Sequence, residues 1–288
     1  MTPPPLCRLL FLGLASLANP ASLLAQFSPS LLQNNSYWGD GRAEVDLYDA
    51  QIMREGQPRH CEMTLILMRD TFPPQVSLSS TPPGNAGPVP GIRMSQIFTA
   101  PIGLGVEQHS LSLFWSGAAD LLGGSLVTAT GRGNRAVQAE ALPENKSLCT
   151  EVRNERGEVT SMDFFVPKSG AAVLYDELPL RVRTIAFTKP AATFEFQMAA
   201  PLASPGEFKT SKASYKVNDR MIEVEVREGE ALDRFLLDRE FPFLLREWKT
   251  RDGSQFKLKN SLKADFWNYS KNGDRERALK DPMLRHPD

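Results

Sequence analysis

Chemistry at a protein site needs a nucleophile, a proton carrier or a metal ligand, and this chain places few of these at usable spacings. It has three histidines, His60, His109 and His286. A Ser–His–Asp or Cys–His arrangement needs an imidazole beside a nucleophile and oriented by an acid. His60 and His109 fall in strand-like stretches and His286 in the tail, and no Gly-x-Ser-x-Gly elbow accompanies them. His60 adjoins Cys61, but neighbours on a strand point to opposite faces. No ligand pair at helical spacing and no Cys/His cluster suggests tetrahedral zinc. The residues therefore indicate no catalytic residue, no cofactor and no metal.

Two charged stretches invite a site. Gly131-Arg132-Gly133-Asn134-Arg135 resembles an anion-binding loop, with Arg132 and Arg135 as the contacts. A phosphate nest needs consecutive N–H groups aimed at one point, often at a helix start. The next residues, Ala136 to Ala139, read as a strand. A hairpin with two solvated arginines is the favoured reading. Asp40, Glu44, Asp46 and Asp49 form an acidic stretch without the calcium-loop pattern. They are read as solvated positions on a strand.

Cys61 and Cys149 would remain after removal of an N-terminal signal. An even pair in an oxidising compartment can form one disulfide. Two separate buried thiols acting as small hydrophobes are the other reading. The spacing is not Cys-x-x-Cys, so a redox-active pair is not indicated.

The elements that must position these residues are mostly strands. Ala43, Val45 and Leu47 alternate with Glu44, Asp46 and Tyr48, which predicts a half-buried strand with the apolar set inward. Met63 to Met68 is continuously apolar, as in a central strand. His109, Leu111, Leu113 and Trp115 share one face. Asn218-Asp219, Arg156-Gly157 and Asp252-Gly253 read as turns, the last as a two-residue hairpin. In that register Trp248 and Phe256 fall on opposite faces. A sheet covered on both faces by loops or a helix resolves the conflict, and so does a bulge that shifts the pairing by one residue; the bulge is the favoured reading, because it leaves Lys257 and Lys259 to solvent. Leu174, Leu178, Val182 and Ile185 predict one short helix from Asp176 to Phe187, with Asp176 as its cap. The fold class expected is mainly β: an antiparallel curved sheet or barrel-like domain with one short helix.

Residues 1–25 read as a secretory signal. Arg8 precedes the apolar run Leu9 to Ala18, which is too short to span a bilayer. Pro20 ends it, and cleavage is expected near Ala25. A single β-rich domain is expected over 26–270, with a proline-rich surface loop at 71–91 and a charged tail over 271–288 that frays after a short helix. The localisation expected is periplasmic or extracellular. No later run reaches membrane-spanning length. With Lys+Arg 33 against Asp+Glu 34 there is no basic excess, which disfavours nucleic acid as a partner.

Tyr37-Trp38-Gly39-Asp40-Gly41, followed by Ala43-Glu44-Val45 and Tyr48, resembles the opening of a group of uncharacterised exported bacterial proteins. Tyr175 to Phe187, and Glu240-Phe241-Pro242 through Asp252-Gly253, are similar to the domain of unknown function 3108. The resemblance implies a β-rich, barrel-like or curved-sheet fold and carries over no catalytic residue. The proline-rich loop departs from its pattern.

Two functions from different classes follow. One is a non-enzymatic binding or envelope-associated module that shelters an apolar ligand or an envelope component on the concave face of its sheet. Phe164, Phe165, Phe194, Phe196, Phe235 and Phe241 would supply that face, with ordinary core as the plainer reading. The other is a hydrolase of envelope or extracellular polymer, built on two carboxylates about 5–9 Å apart.

Overall fold

The computed structural model describes residues 27–72, 89–116, 118, 120–131, 133–142, 147–165, 172–269, 271 and 273–285. The signal segment, His286 and the prolines between residues 73 and 88 lie outside them. Among the described residues one fifteen-stranded sheet forms, and its order explains the architecture. From β1 (Ala43–Arg54) the chain meanders outward through β2 (Gln57–Phe72), β3 (Val89–Ile102), β4 (Gly105–Ser116), β5 (Leu121–Thr130), β6 (Gly133–Leu142), β7 (Ser147–Arg153) and β8 (Val159–Phe165). It resumes at the opposite edge with β9 (Ala172–Leu174) and returns inward through β10 (Ala191–Ala199), β11 (Phe208–Val217), β12 (Met221–Glu228), β13 (Ala231–Asp238) and β14 (Leu245–Lys249) to β15 (Gln255–Ala264). The last strand pairs with the first, so β1 and β15 sit at the centre. All pairings are antiparallel except β9 with β10.

Chain connectivity forces the sheet to curl. Fifteen strands laid flat would span roughly 67 Å. Phe165 and Ala172, on its two edges, are joined by a stretch that reaches at most about 25 Å. The edges therefore approach one another, and both limbs feed one continuous core. The fold class read from the alternation is the one observed.

Three details depart from the sequence reading. The helix at 176–187 is a single α turn, Leu178–Arg181, between 3-10 turns at Tyr175–Glu177 and Val182–Thr184. Asp176 does not cap it; its carboxylate accepts from the Leu202 N–H at 2.6 Å. Further short helices occur at Ser30–Gln33, Asn35–Trp38 and Asp274–Lys280. The strands flanking the proline-rich segment also run further than expected, with Thr71 paired to Pro90 and Phe72 to Val89. The described part of the tail, through Arg285, is held after its helix. Ala278, Leu279 and Leu284 pack on Val45, Leu262 and Ala264, and Lys263 N–H donates to the Leu284 carbonyl.

The expected bulge is present in the last hairpin. Gly253 N–H donates to the Thr250 carbonyl and Thr250 N–H to the Ser254 carbonyl, with Gly253 at φ 91°. This is a type I turn closed by a glycine bulge. It pairs Trp248 with Phe256, and the rings stack at 4.2 Å. The turn at Asn154–Glu158 has the same two hydrogen bonds, with Gly157 at φ 82°.

Candidate functional site

The site begins on β1. Glu44, Asp46 and Tyr48 alternate to one face, as any i, i+2, i+4 set on a strand must. That face is the inner one: all three residues are 0% exposed. The reading of Glu44 and Asp46 as solvated is thereby corrected. Alternation identifies two faces but not which is inward, and the opposite face is also covered, because Val45 lies under the C-terminal segment.

Partners distant in sequence make this burial possible. Arg183 Nη1 reaches Glu44 Oε1 at 2.5 Å and Nη2 reaches Oε2 at 3.0 Å. The same guanidinium donates to the Pro242 carbonyl at 2.9 Å. Tyr37 Oη donates to Glu44 Oε2 at 2.5 Å. Ser261 Oγ lies 2.5 Å from Asp46 Oδ1, whereas no donor group is fixed on the buried Asp46 Oδ2, and the Asp46 carboxyl lies within hydrogen-bond reach of the Glu44 carboxyl. Ser261 is aimed there by the register shift between β1 and β15. Tyr48 pairs with Leu258 and Leu47 with Asn260, so Lys259 is looped out and the inward parity of β15 changes from Phe256 and Leu258 to Ser261.

Electrostatics follow the geometry. Burial, then the nearby Glu44 charge, pushes the Asp46 carboxyl well above its ordinary range. Burial and Glu44 likewise raise the Tyr37 phenol, so it stays a donor. Burial alone would lower the Arg183 guanidinium, but Glu44 outweighs it and keeps the group charged.

This cluster pins the segment that precedes β1. Phe241 packs edge-on against Tyr37 at 5.2 Å, and Lys263 Nζ lies 4.5 Å from the Tyr37 ring and 4.7 Å from the Trp38 ring. Trp38 Nε1 donates to the Leu31 carbonyl at 2.7 Å. The held segment forms one wall of a cleft of about 550 Å³. Leu32, Ile92 and Pro90 contribute apolar lining; Gln33, Asn35, Arg69, Asp70 and Thr71 contribute polar groups. Arg69 donates to the Asn35 side chain across it.

The other residues singled out in sequence do not converge. Arg135 lies on β6 opposite Thr128, and Arg132 is outside the described residues. Cys61 and Cys149 are free thiols with four strands between β2 and β7. Cys61 shares a face with core-facing Met63, whereas Cys149 lies on the face opposite Leu148 and Thr150. Burial pushes both thiols up to about 11. His60 is exposed and paired with Gln51. His109 stacks on Phe98 at 4.4 Å, and burial followed by the nearby Arg54 lowers it to about 4. Phe194, Phe196 and Phe235 are core, whereas Phe165 and Phe241 are exposed, so the six phenylalanines do not form one binding face. Among the described residues no group of three or more His, Cys, Asp or Glu side chains could hold a metal, and no helix is long and apolar enough to cross a membrane.

Sequence reasoning missed Tyr37, Arg183, Pro242 and Ser261 as partners. One signal was present: Arg181 and Arg183 both fall within the mainly apolar Leu178–Ile185 stretch. The three stretches that carry the family resemblance are those that supply Tyr37 and Glu44, Arg183, and Pro242 to this cluster.

No protein-family model matches the chain, and no curated protein matches it. Solved structures similar to it include two proteins of uncharacterised domains. A beta-barrel-like protein of domain of unknown function DUF1849 from Brucella abortus is 10% identical over 78% of this chain and 98% of its own, with a TM-score of 0.46. A DUF1089 family protein from Pseudomonas aeruginosa is 14% identical over 54% of this chain and 82% of its own, with a TM-score of 0.34. Neither is the domain of unknown function 3108.

Proposed function

We propose that this chain is an exported, non-enzymatic binding module, similar to the uncharacterised exported proteins of the domain of unknown function 3108. The cleft beside the pinned N-terminal segment is the observation that carries this reading: its mixed lining sets the polar groups of Gln33, Asn35, Arg69 and Asp70 beside apolar Leu32, Pro90 and Ile92, and such polar groups can orient a small ligand. The acid pair supports it over a hydrolase. Glu44 and Asp46 are 0% exposed, and a hydrolytic pair has to touch both polymer and water. Arg8, the short apolar run and Ala25 support export.

Native mass spectrometry of the protein recovered from the exported fraction tests both parts. The expected result is a chain cleaved near Ala25 that carries a small molecule or envelope component. Asn35→Trp, at an exposed position on the cleft rim, should lose it. A chain retained in the cytosol with Met1 overturns export, and turnover of an envelope polymer by the purified protein overturns the binding reading.

A further inference from the structure

The buried cluster holds two carboxylates and one committed guanidinium. Arg183 spends its charge on Glu44 in a bidentate pair. The groups that act on Asp46 are Glu44 and Tyr48 from β1, Tyr37 from the N-terminal segment, Arg183 from the helical segment and Ser261 from β15; Lys263 of β15 acts on Glu44, and Arg246 of β14 on Tyr48. The remaining cations are engaged elsewhere. Lys263 lies 3.4 Å from Asp40 and donates to the Arg42 carbonyl, and Arg246 pairs with Asp238 at 2.7 Å. Leu65, opposite Asp46 on β2, is apolar. An ionised Asp46 would thus be a second buried anion set against the Glu44 carboxylate with one hydroxyl as its only donor, which a dry site does not tolerate, whereas a proton on Asp46 lets the two carboxyls hydrogen-bond. Charge counting places a proton on Asp46 while the cluster is closed.

We propose that the Tyr37–Glu44–Arg183–Pro242 contact set is a proton-linked latch, closed while Asp46 carries its proton and released as pH rises and that proton passes to solvent. The ionised Asp46 then competes with Glu44 for Arg183 and repels it. The contacts that Glu44 and Arg183 make with Tyr37 and the Pro242 carbonyl weaken together. The freed element is the segment around Asn35–Trp38, which is also the wall of the proposed cleft. The latch is assayed without any ligand, so its failure and that of the binding reading are distinguishable.

Hydrogen exchange of the full chain between pH 6 and pH 10, corrected for intrinsic chemistry, reads the latch directly. The reporters are the amides of Gln33, Trp38 and Gly39, bonded to the Pro29, Asn34 and Asn35 carbonyls. Their opening should increase about tenfold per pH unit once Asp46 begins to ionise, while peptides from β12 and β13 stay flat. Asp46→Asn should remove the slope. Ser261→Ala, which deletes the contact that favours the ionised form, should move its onset to higher pH. This second variant decides the matter if Asp46→Asn does not fold. The proposal is overturned by a wild-type segment indifferent to pH, by β12 and β13 opening in parallel, by an Asp46→Asn variant that keeps the slope, or by an onset in Ser261→Ala that is unchanged or lower.

Discussion

Glu44 and Arg183 lie 139 residues apart in the chain and meet as a two-point ion pair with neither side chain exposed. Removing one partner from such a pair leaves an uncompensated buried charge. Arg183→Met should therefore cost about 3–5 kcal/mol in urea unfolding. Adding Glu44→Gln should recover part of that loss. A double variant that loses the full sum of the single costs would show that the two residues do not act as a pair.

His109 makes a prediction in acid. Its imidazole titrates near 6.5 in the unfolded chain and is lowered to about 4 by burial in the fold. The folded state therefore binds the proton less well than the unfolded state. The contribution is fully present above pH 6.5 and is lost as pH falls towards 4, up to a few kcal/mol in all. His109→Phe should flatten the stability profile between pH 6.5 and pH 4 in urea titrations at a series of pH values. A variant with the wild-type acid slope would place the responsible group elsewhere.

Gly253 holds φ 91° in the bulged turn, a region that a β-branched residue resists. Gly253→Val should lower stability by about 1–3 kcal/mol without altering ligand binding, since the turn is remote in sequence and fold from the cleft residues. Urea midpoints for the two proteins check it, and equal midpoints would refute the assigned turn.

Gly91 is constrained by a close approach rather than by its φ. A Cβ there would lie 1.8 Å from the Trp115 carbonyl oxygen. Trp115 is itself held, its indole donating to Glu177 at 2.7 Å. Gly91→Ala must push β3 from β4, and we expect a loss of about 2–4 kcal/mol in thermal or urea unfolding. A neutral substitution would mean that the two strands separate there without cost.

Local chemistry made much of the β architecture legible. The Asp252-Gly253 and Arg156-Gly157 signals mark real turns because a glycine at positive φ is a local requirement. The parity conflict between Trp248 and Phe256, with Lys257 and Lys259 suited to solvent, favoured the bulge that the structure contains over a sheet covered on both faces. His109, Leu111, Leu113 and Trp115 share a face because strand period alone dictates it. The helix at 176–187 was less legible, since its apolar spacing is equally served by one α turn between two 3-10 turns.

The sequence by itself determined where the chain turns and which residues share a strand face, since these depend on φ, ψ and side-chain alternation within a few residues. Only the tertiary structure decided which face of β1 is inward. A carboxylate is solvated or buried according to whether a guanidinium and a hydroxyl arrive to compensate it, and here they arrive from Arg183 and Ser261, 139 and 215 residues further along the chain. The sheet order brings them there: β15 returns to pair with β1, and the looped-out Lys259 turns Ser261 inward. Glu44 and Asp46 belong to the core because desolvation and pairing are settled by contacts that no local pattern contains.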